Sequence, residues 1–227
     1  LAFNTDGTKM FVLGGSGNDV NEYTLTTGFD VSTSSFTDSF SVATQENLPK
    51  GLAFNPDGTK MFVVGGQGQD VNEYTLSTGF DVSTASFVDS FSVSAQDSTM
   101  WGIAFNTDGT SMFVVGQVGN NVNEYTLSTG FDVSTASFVD SFSISAQDTS
   151  ATGLAFDTNG TKMFVAGYAN DSVYEYSVGA SATPSGYNPV HTTASIDSTY
   201  WTDINSMTAN QAAGDGTINY AISTDDR

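Results

Sequence analysis

Apolar and polar positions alternate along much of this chain. In VNEYTLS (71–77), Val71, Glu73 and Thr75 fall on one face, and Asn72, Tyr74 and Leu76 on the other. That period of two predicts a strand with two distinct faces. SFVDSFSVS (86–94) alternates again and is rich in β-forming residues. Two shorter apolar runs precede them, GLAFN (51–55) and KMFVVG (60–65), separated by PDGT. An Asp-Gly step between apolar runs is a hairpin signal. A Gly-rich turn, GQGQD (66–70), follows the second run, and the longer STGFDVSTA (77–85) links the third to the fourth. These are four antiparallel strands, a to d in chain order, with no helical period among them.

The same pattern returns every 51 residues. LAFNTDGTKMF begins at Leu1, LAFNPDGTKMF at Leu52, IAFNTDGTSMF at Ile103 and LAFDTNGTKMF at Leu154. A four-stranded meander of this length in tandem predicts an all-β fold, a β-propeller of four-stranded antiparallel blades. One sheet cannot cover both of its faces, and stacked neighbours cover both. The recurring Leu52, Phe54, Phe62, Val64, Tyr74, Leu76, Phe87 and Phe91 are assigned to packing between blades. A β-solenoid is the alternative, but its coils are shorter and lack the Asp-Gly hairpins.

The pattern [LI]-A-F-N-x-D-G-T-x-M-F-V, then V-N-E-Y-T-L-S-T, then F-D-V-S-T-A-S-F resembles repeat β-propellers of marine bacteriophages and marine bacteria. It is also similar to the broader group that holds the NHL and WD-repeat propellers. The resemblance covers residues 1–178. It implies a virion or host-surface protein, and it brings no catalytic residues with it.

The fourth copy keeps strands a to c and departs after Val178. Residues 1–178 are therefore read as blades and 179–227 as a divergent tail. Gly and Pro around 179–190 read as a linker, after which TTASIDS is a candidate d strand. STYWTDINSMTA and GTINYAISTDDR are two strand-like runs around a Gly-rich turn. The tail is expected to supply part of a fifth blade, giving five blades in one chain. A four-bladed ring, or closure by self-association with a second chain, are the alternatives, because an unclosed edge invites pairing. The chain, which opens inside a repeat, is expected to be part of something longer.

Charge narrows the ligands. Acids outnumber bases 25 to 5, for a net charge of −20, and there is no cysteine. Nucleic acid, anionic membranes and phosphorylated ligands all need basic patches, so none of them is an expected partner. No run of apolar residues is long enough to span a membrane. The acidity suits a salty medium, or serves only to keep a β-rich repeat soluble.

Comparing blade with blade separates framework from variation. The a–b loops (NTDGT, NPDGT, NTDGT, DTNGT) and the c–d loops barely change. The b–c turns (GGSGND, GGQGQD, GQVGNN, GYAND) and the d–a connections (TQENLPK, AQDSTMW, AQDTSAT) differ. In a propeller these two variable sets emerge on one face, which is read as a recognition surface. The competing reading is drift, with the constant loops held by turn chemistry and by Phe80 and Val82. The candidate ligand-binding residues are Lys50, Met100 and Trp101 near the axis, with Gln67, Gln69, Gln117, Asn120, Asn121, Tyr168 and Asn170 in the b–c turns, where Asn18 and Asp19 also lie. A Trp with neighbouring amides suits sugar stacking and hydroxyl recognition.

Catalytic signatures are sparse. One arginine, Arg227, cannot form a carboxylate-gripping cluster, and the single His191 leaves no zinc site and no supported triad. No cofactor is expected. Ca²⁺ is the one metal weighed, at NxDGT or at the pairs Asp19/Glu22 and Asp70/Glu73. For NxDGT a tight turn with Gly at positive φ is the stronger reading. The sequence-level expectation is a non-enzymatic viral or bacterial surface recognition protein whose ligand is a glycan or host-surface group. A structural assembly spacer and a Ca²⁺-dependent enzyme are the alternatives.

Overall fold

The alternating segments form four tandem antiparallel sheets in the computed structural model, which describes residues 1–178 and two short strands of the tail. Blade one comprises β1 (Ala2–Phe3), β2 (Lys9–Gly14), β3 (Asp19–Leu25) and β4 (Ser34–Ser41). Blade two comprises β5 (Pro49–Phe54), β6 (Lys60–Gly65), β7 (Asp70–Leu76) and β8 (Ala85–Ser92). Blade three comprises β9 (Met100–Phe105), β10 (Ser111–Gly116), β11 (Asn121–Leu127) and β12 (Ala136–Ser143). Blade four has β13 (Ala151–Phe156), β14 (Lys162–Gly167) and β15 (Ser172–Ser177). Within each sheet, pairing follows chain order. Strand a of one blade packs on strand a of the next, β5 on β9 and β9 on β13, so strand a is innermost. Strand d forms the exposed outer rim.

The two faces of strand c go where the alternation sends them. Tyr74 and Leu76 join Met61 and Val63 against Phe11 and Val20 of blade one. Val71 joins Phe62 and Val64 against Met112, Val114 and Tyr125 of blade three. A third cluster, with Phe113, Val115, Met163 and Val165, joins blades three and four. Of the residues assigned to packing, Phe87 alone is largely exposed. It stands edge-on to Tyr74 on the outer rim.

The constant loops are locked for structural reasons. In blade two Asp57 Oδ1 accepts the Thr59 N–H at 3.0 Å and its hydroxyl at 2.6 Å, while Gly58 turns the chain at φ +72°. The Phe80 ring lies on Gly58 so closely that any Cβ there would collide with it. Asp81 accepts from Ser83 N–H and opens a single 3₁₀ turn, Val82–Thr84. NxDGT is thus a turn whose carboxylate is already engaged. Among the described residues no three His, Cys, Asp or Glu side chains converge on a point a metal would occupy.

Two of the three junctions between these blades are also clamped by charge. Lys9 Nζ donates to Glu22 at 2.7 Å and to the Phe80 carbonyl of blade two at 2.6 Å, and Glu22 accepts the Val82 N–H at 3.0 Å. Lys60, Glu73, Phe131 and Val133 repeat this between blades two and three, at 2.7, 2.6 and 2.9 Å. Glu22 and Glu73, weighed above as calcium ligands, are buried partners of a lysine and a backbone N–H.

In the tail, β16 (Met207–Ala209) and β17 (Ile218–Tyr220) pair antiparallel, one in each strand-like run. The described blades number four. The expected fifth blade, TTASIDS, His191 and Arg227 lie outside the described residues. No helix among the described residues is long and apolar enough to cross a membrane.

Candidate functional site

The start of strand a carries the most informative irregularity. In β9, Met100 pairs with Gly116 and Gly102 with Val115, so Trp101 is an extra residue in a bulge. The same shift falls between Pro49 and Gly51 in β5 and between Ala151 and Gly153 in β13. Lys50, Trp101 and Thr152 are therefore equivalent bulge residues on three adjacent innermost strands. A bulge interrupts the ladder and re-aims the side chain it carries. The glycine after the first two bulges, Gly51 and Gly102, lets neighbouring strands approach. A Cβ at Gly51 would stand 2.6 Å from Val64 Cγ2 and 3.0 Å from the Trp101 carbonyl of the next blade.

The side chains meet across the blades. Lys50 Nζ lies 4.6 Å from the centre of the Trp101 ring, a cation–π contact. Trp101 Nε1 donates to Gln117 Oε1 at 3.2 Å, and Gln117 Nε2 donates to Ser150 Oγ at 2.6 Å. The row Lys50, Trp101, Gln117, Ser150 thus crosses blades two to four where the d–a and b–c loops emerge. Lys50, Trp101 and Gln117 are partly exposed. Among the described residues Lys50 is the one lysine with no carboxylate partner, since Lys9, Lys60 and Lys162 are paired.

Buried carboxylates make the surrounding loops stiff. Glu46 accepts N–H groups from Leu48 and Gly68, at 2.7 and 2.9 Å. Asp97 accepts from Thr99 and Gly119, and Asp148 from Ser150 and Asn170. Each ties a d–a connection to the b–c turn of the following blade. The neighbouring glutamines anchor the same loops, with Tyr125 Oη bonded to Gln96 Oε1 at 3.2 Å. Burial, with nearby Asp97, pushes the Tyr125 hydroxyl's pKa upward, so it stays protonated.

The remaining candidates divide. Met100 is fully buried in the core between blades two and three, so the expectation that it meets a ligand is corrected. Asn18, Gln69 and Asn120 occupy the left-handed position of their turns, at φ 52°, 56° and 49°. Their residue type answers first to that turn. Asn120 Oδ1 is buried without a hydrogen-bond partner. Asp19 accepts from Asn21 Nδ2 at 3.0 Å. Asn170 is held by its Nδ2 bond to the Gln147 carbonyl at 2.6 Å. Gln67 and Tyr168 are exposed, and Asn121 is half-buried at the start of β11. Ser150 and Thr152 were missed by sequence reasoning. For Thr152 the signal was its shared offset with Lys50 and Trp101, each just before a glycine.

No family model matches the chain. No curated protein matches it either. Solved structures do. A candidate 6-phosphogluconolactonase from Bacteroides uniformis is 13% identical with a TM-score of 0.55, over 82% of this chain and 55% of that one. Another, from Bacteroides fragilis, is 15% identical with a TM-score of 0.56, over 78% and 49%. Hydrazine synthase from Kuenenia stuttgartiensis is 17% identical with a TM-score of 0.53, over 77% and 44%. The chain spans about half the length of the first two. At these identities the likeness shows the propeller fold. It also overturns the expectation that the chain is no enzyme, because proteins described as candidate lactonases are built on this framework.

Proposed function

We propose that the chain recognises a polyhydroxylated ligand, a glycan, at the inner mouth of the face formed by the b–c and d–a loops. The observation that carries this reading is the triple bulge. The fold spends the same ladder defect three times on one level, and at that level the blades present Lys50, Trp101 and Thr152. An indole ring stacks on the C–H face of a sugar, and Gln117 and Ser150 offer amide and hydroxyl groups beside it. The surface is acidic overall, which favours a neutral ligand over a polyanion. Exposed Gln67 and Tyr168 would meet the parts of the ligand farther from the axis. Constancy of the opposite loops no longer supports this reading, because turn and clamp chemistry accounts for it. A virion or cell-surface setting goes with the resemblance of the repeats.

Glycan-array binding by the wild-type chain, reduced at least tenfold in Trp101→Ala with unchanged circular dichroism, is the expected result. Absence of binding to any glycan, or full binding by Trp101→Ala, would sink the proposal. The solved neighbours favour a second reading at the same mouth, hydrolysis of a sugar lactone, in which unpaired Lys50 would face an anionic substituent. Turnover of 6-phosphogluconolactone that falls in Lys50→Ala would support it, and no turnover would end it.

A further inference from the structure

The a–b turn of blade four carries an exchange of residues that the other three lack. Blades one to three read Asn4-x-Asp6-Gly7, Asn55-x-Asp57-Gly58 and Asn106-x-Asp108-Gly109, and blade four reads Asp157-x-Asn159-Gly160. In the first three, two side chains share the work of the turn. Asn55 Oδ1 accepts the Lys60 N–H at 2.9 Å, and Asp57 Oδ1 accepts the N–H and hydroxyl of Thr59. Blades one and three repeat both sets. In blade four Asp157 does both. Its Oδ1 accepts the N–H groups of Thr161 and Lys162 at 2.7 and 2.9 Å, and its Oδ2 accepts the Thr161 hydroxyl at 2.8 Å. Asn159 is left exposed at the tip, with no hydrogen-bond partner for its amide among the described residues.

The turn itself makes that amide reactive. It needs glycine at the next position, since Gly160 sits at φ +66°, as Gly7, Gly58 and Gly109 sit at +71° to +74°. A glycine has no Cβ to shield its nitrogen from the side chain of the residue before it. Asn159-Gly160 is the one Asn-Gly step in the sequence. The equivalent Asp-Gly steps are protected. Hydrogen bonds from the threonine hydroxyl and N–H hold the carboxyls of Asp6, Asp57 and Asp108 below the ordinary carboxylate range, so they stay ionised. An ionised carboxylate is a poor electrophile, whereas a carboxamide is neutral and can lose ammonia.

We propose that Asn159 is a self-modification site, where the chain deamidates through a cyclic imide with Gly160 and gains the carboxylate that the other three blades already carry there. The Gly160 N–H is held by the Asp157 carbonyl at 3.0 Å, so its nitrogen is released when the turn opens. That nitrogen gives its proton to solvent and attacks Asn159 Cγ. The Cγ–Nδ2 bond breaks, and Nδ2 leaves as ammonia with a proton from water. One water molecule then opens the five-membered ring. Opening at Cγ leaves an aspartate side chain at position 159, at the offset of Asp6, Asp57 and Asp108. Opening at the main-chain carbonyl leaves an isoaspartate, with one more carbon in the main chain. Either product makes the net charge one unit more negative than −20.

The test is peptide mass mapping of the 227-residue chain after prolonged incubation in mildly alkaline buffer, beside the variants Asn159→Gln and Asn159→Asp. Glutamine keeps an exposed amide on a longer side chain, so its ring closes far more slowly. The position is exposed, and unchanged circular dichroism at the start would confirm that both variants fold. The wild type is expected to gain about 1 Da at residue 159, ahead of every other asparagine, with aspartate and isoaspartate both present and ammonia released. The gain should be lost in Asn159→Gln, and Asn159→Asp should form no isoaspartate. Raising the pH should speed the wild-type reaction, because the attacking nitrogen must lose its proton. An unchanged mass at residue 159, equal conversion at the other asparagines, undiminished conversion in Asn159→Gln, or isoaspartate forming in Asn159→Asp at the wild-type rate would each overturn the proposal.

Discussion

Glu124 shows what a single missing partner does. In the first two blades the equivalent glutamate is buried beside a lysine, but blade three has Ser111 there. Glu124 is still only 8% exposed. Burial, with the charge of Asp140 added, raises its pKa from 4.5 to about 7. The folded chain therefore holds this proton more tightly than the unfolded chain. Its contribution to stability is complete below about pH 4.5 and is lost as pH rises through 7. Urea unfolding followed from pH 5 to 8 should show stability falling over that window. Glu124→Gln should flatten this part of the profile. Ser111→Lys should remove it too, by restoring the ion pair. An unchanged slope in both variants would mean that another group titrates.

At the scale of the element, the innermost strand combines a bulge with a glycine, and each depends on the other. The bulge at Trp101 re-aims the indole, and Gly102 lets β9 lie against β13. A Cβ at Gly102 would stand 2.9 Å from Val115 Cγ1 and 3.2 Å from the Leu154 backbone nitrogen. Backbone cannot yield as a side-chain tip can, so Gly102→Ala should cost about 1–3 kcal/mol by overpacking. Trp101 emission should shift in the same variant, because the bulge rests on that contact. Wild-type stability with unshifted emission would show that the strands have room to spare. The strands themselves were legible in the sequence, since alternation and Asp-Gly turns are local signals. The bulges were not, because a bulge is defined by the partner it skips. Lys50 and Trp101 were singled out within the variable d–a connections, whereas Thr152, which closes the third of them at the same offset, was passed over. Met100 was grouped with Trp101 as a ligand candidate, but its side chain is fully buried in the core between blades two and three.

For the whole molecule, the period of 51 residues made the architecture legible, but not how its junctions are matched. The contacts that join blades link residues 60 and 71 positions apart, and only the folded chain brings them together. Those contacts make the blades interchangeable in a testable way. Deleting residues 52–102 removes one full period, so every strand downstream keeps its register and its inward and outward faces. The new junction sets Lys9 and Glu22 against Phe131 and Val133, the residue types they now hold as Phe80 and Val82. Phe11 would meet Phe105 in place of Phe54, and the equivalent tilted ring pair already exists between Phe62 and Phe105. In a stack whose stability sums over units and nearest-neighbour interfaces, losing one of each weakens the array without dissolving it. The shortened chain should therefore be folded, with an unchanged far-ultraviolet spectrum per residue and a lower melting temperature. A chain that loses its β-sheet signal altogether would show that blade two contributes something its equivalents cannot replace.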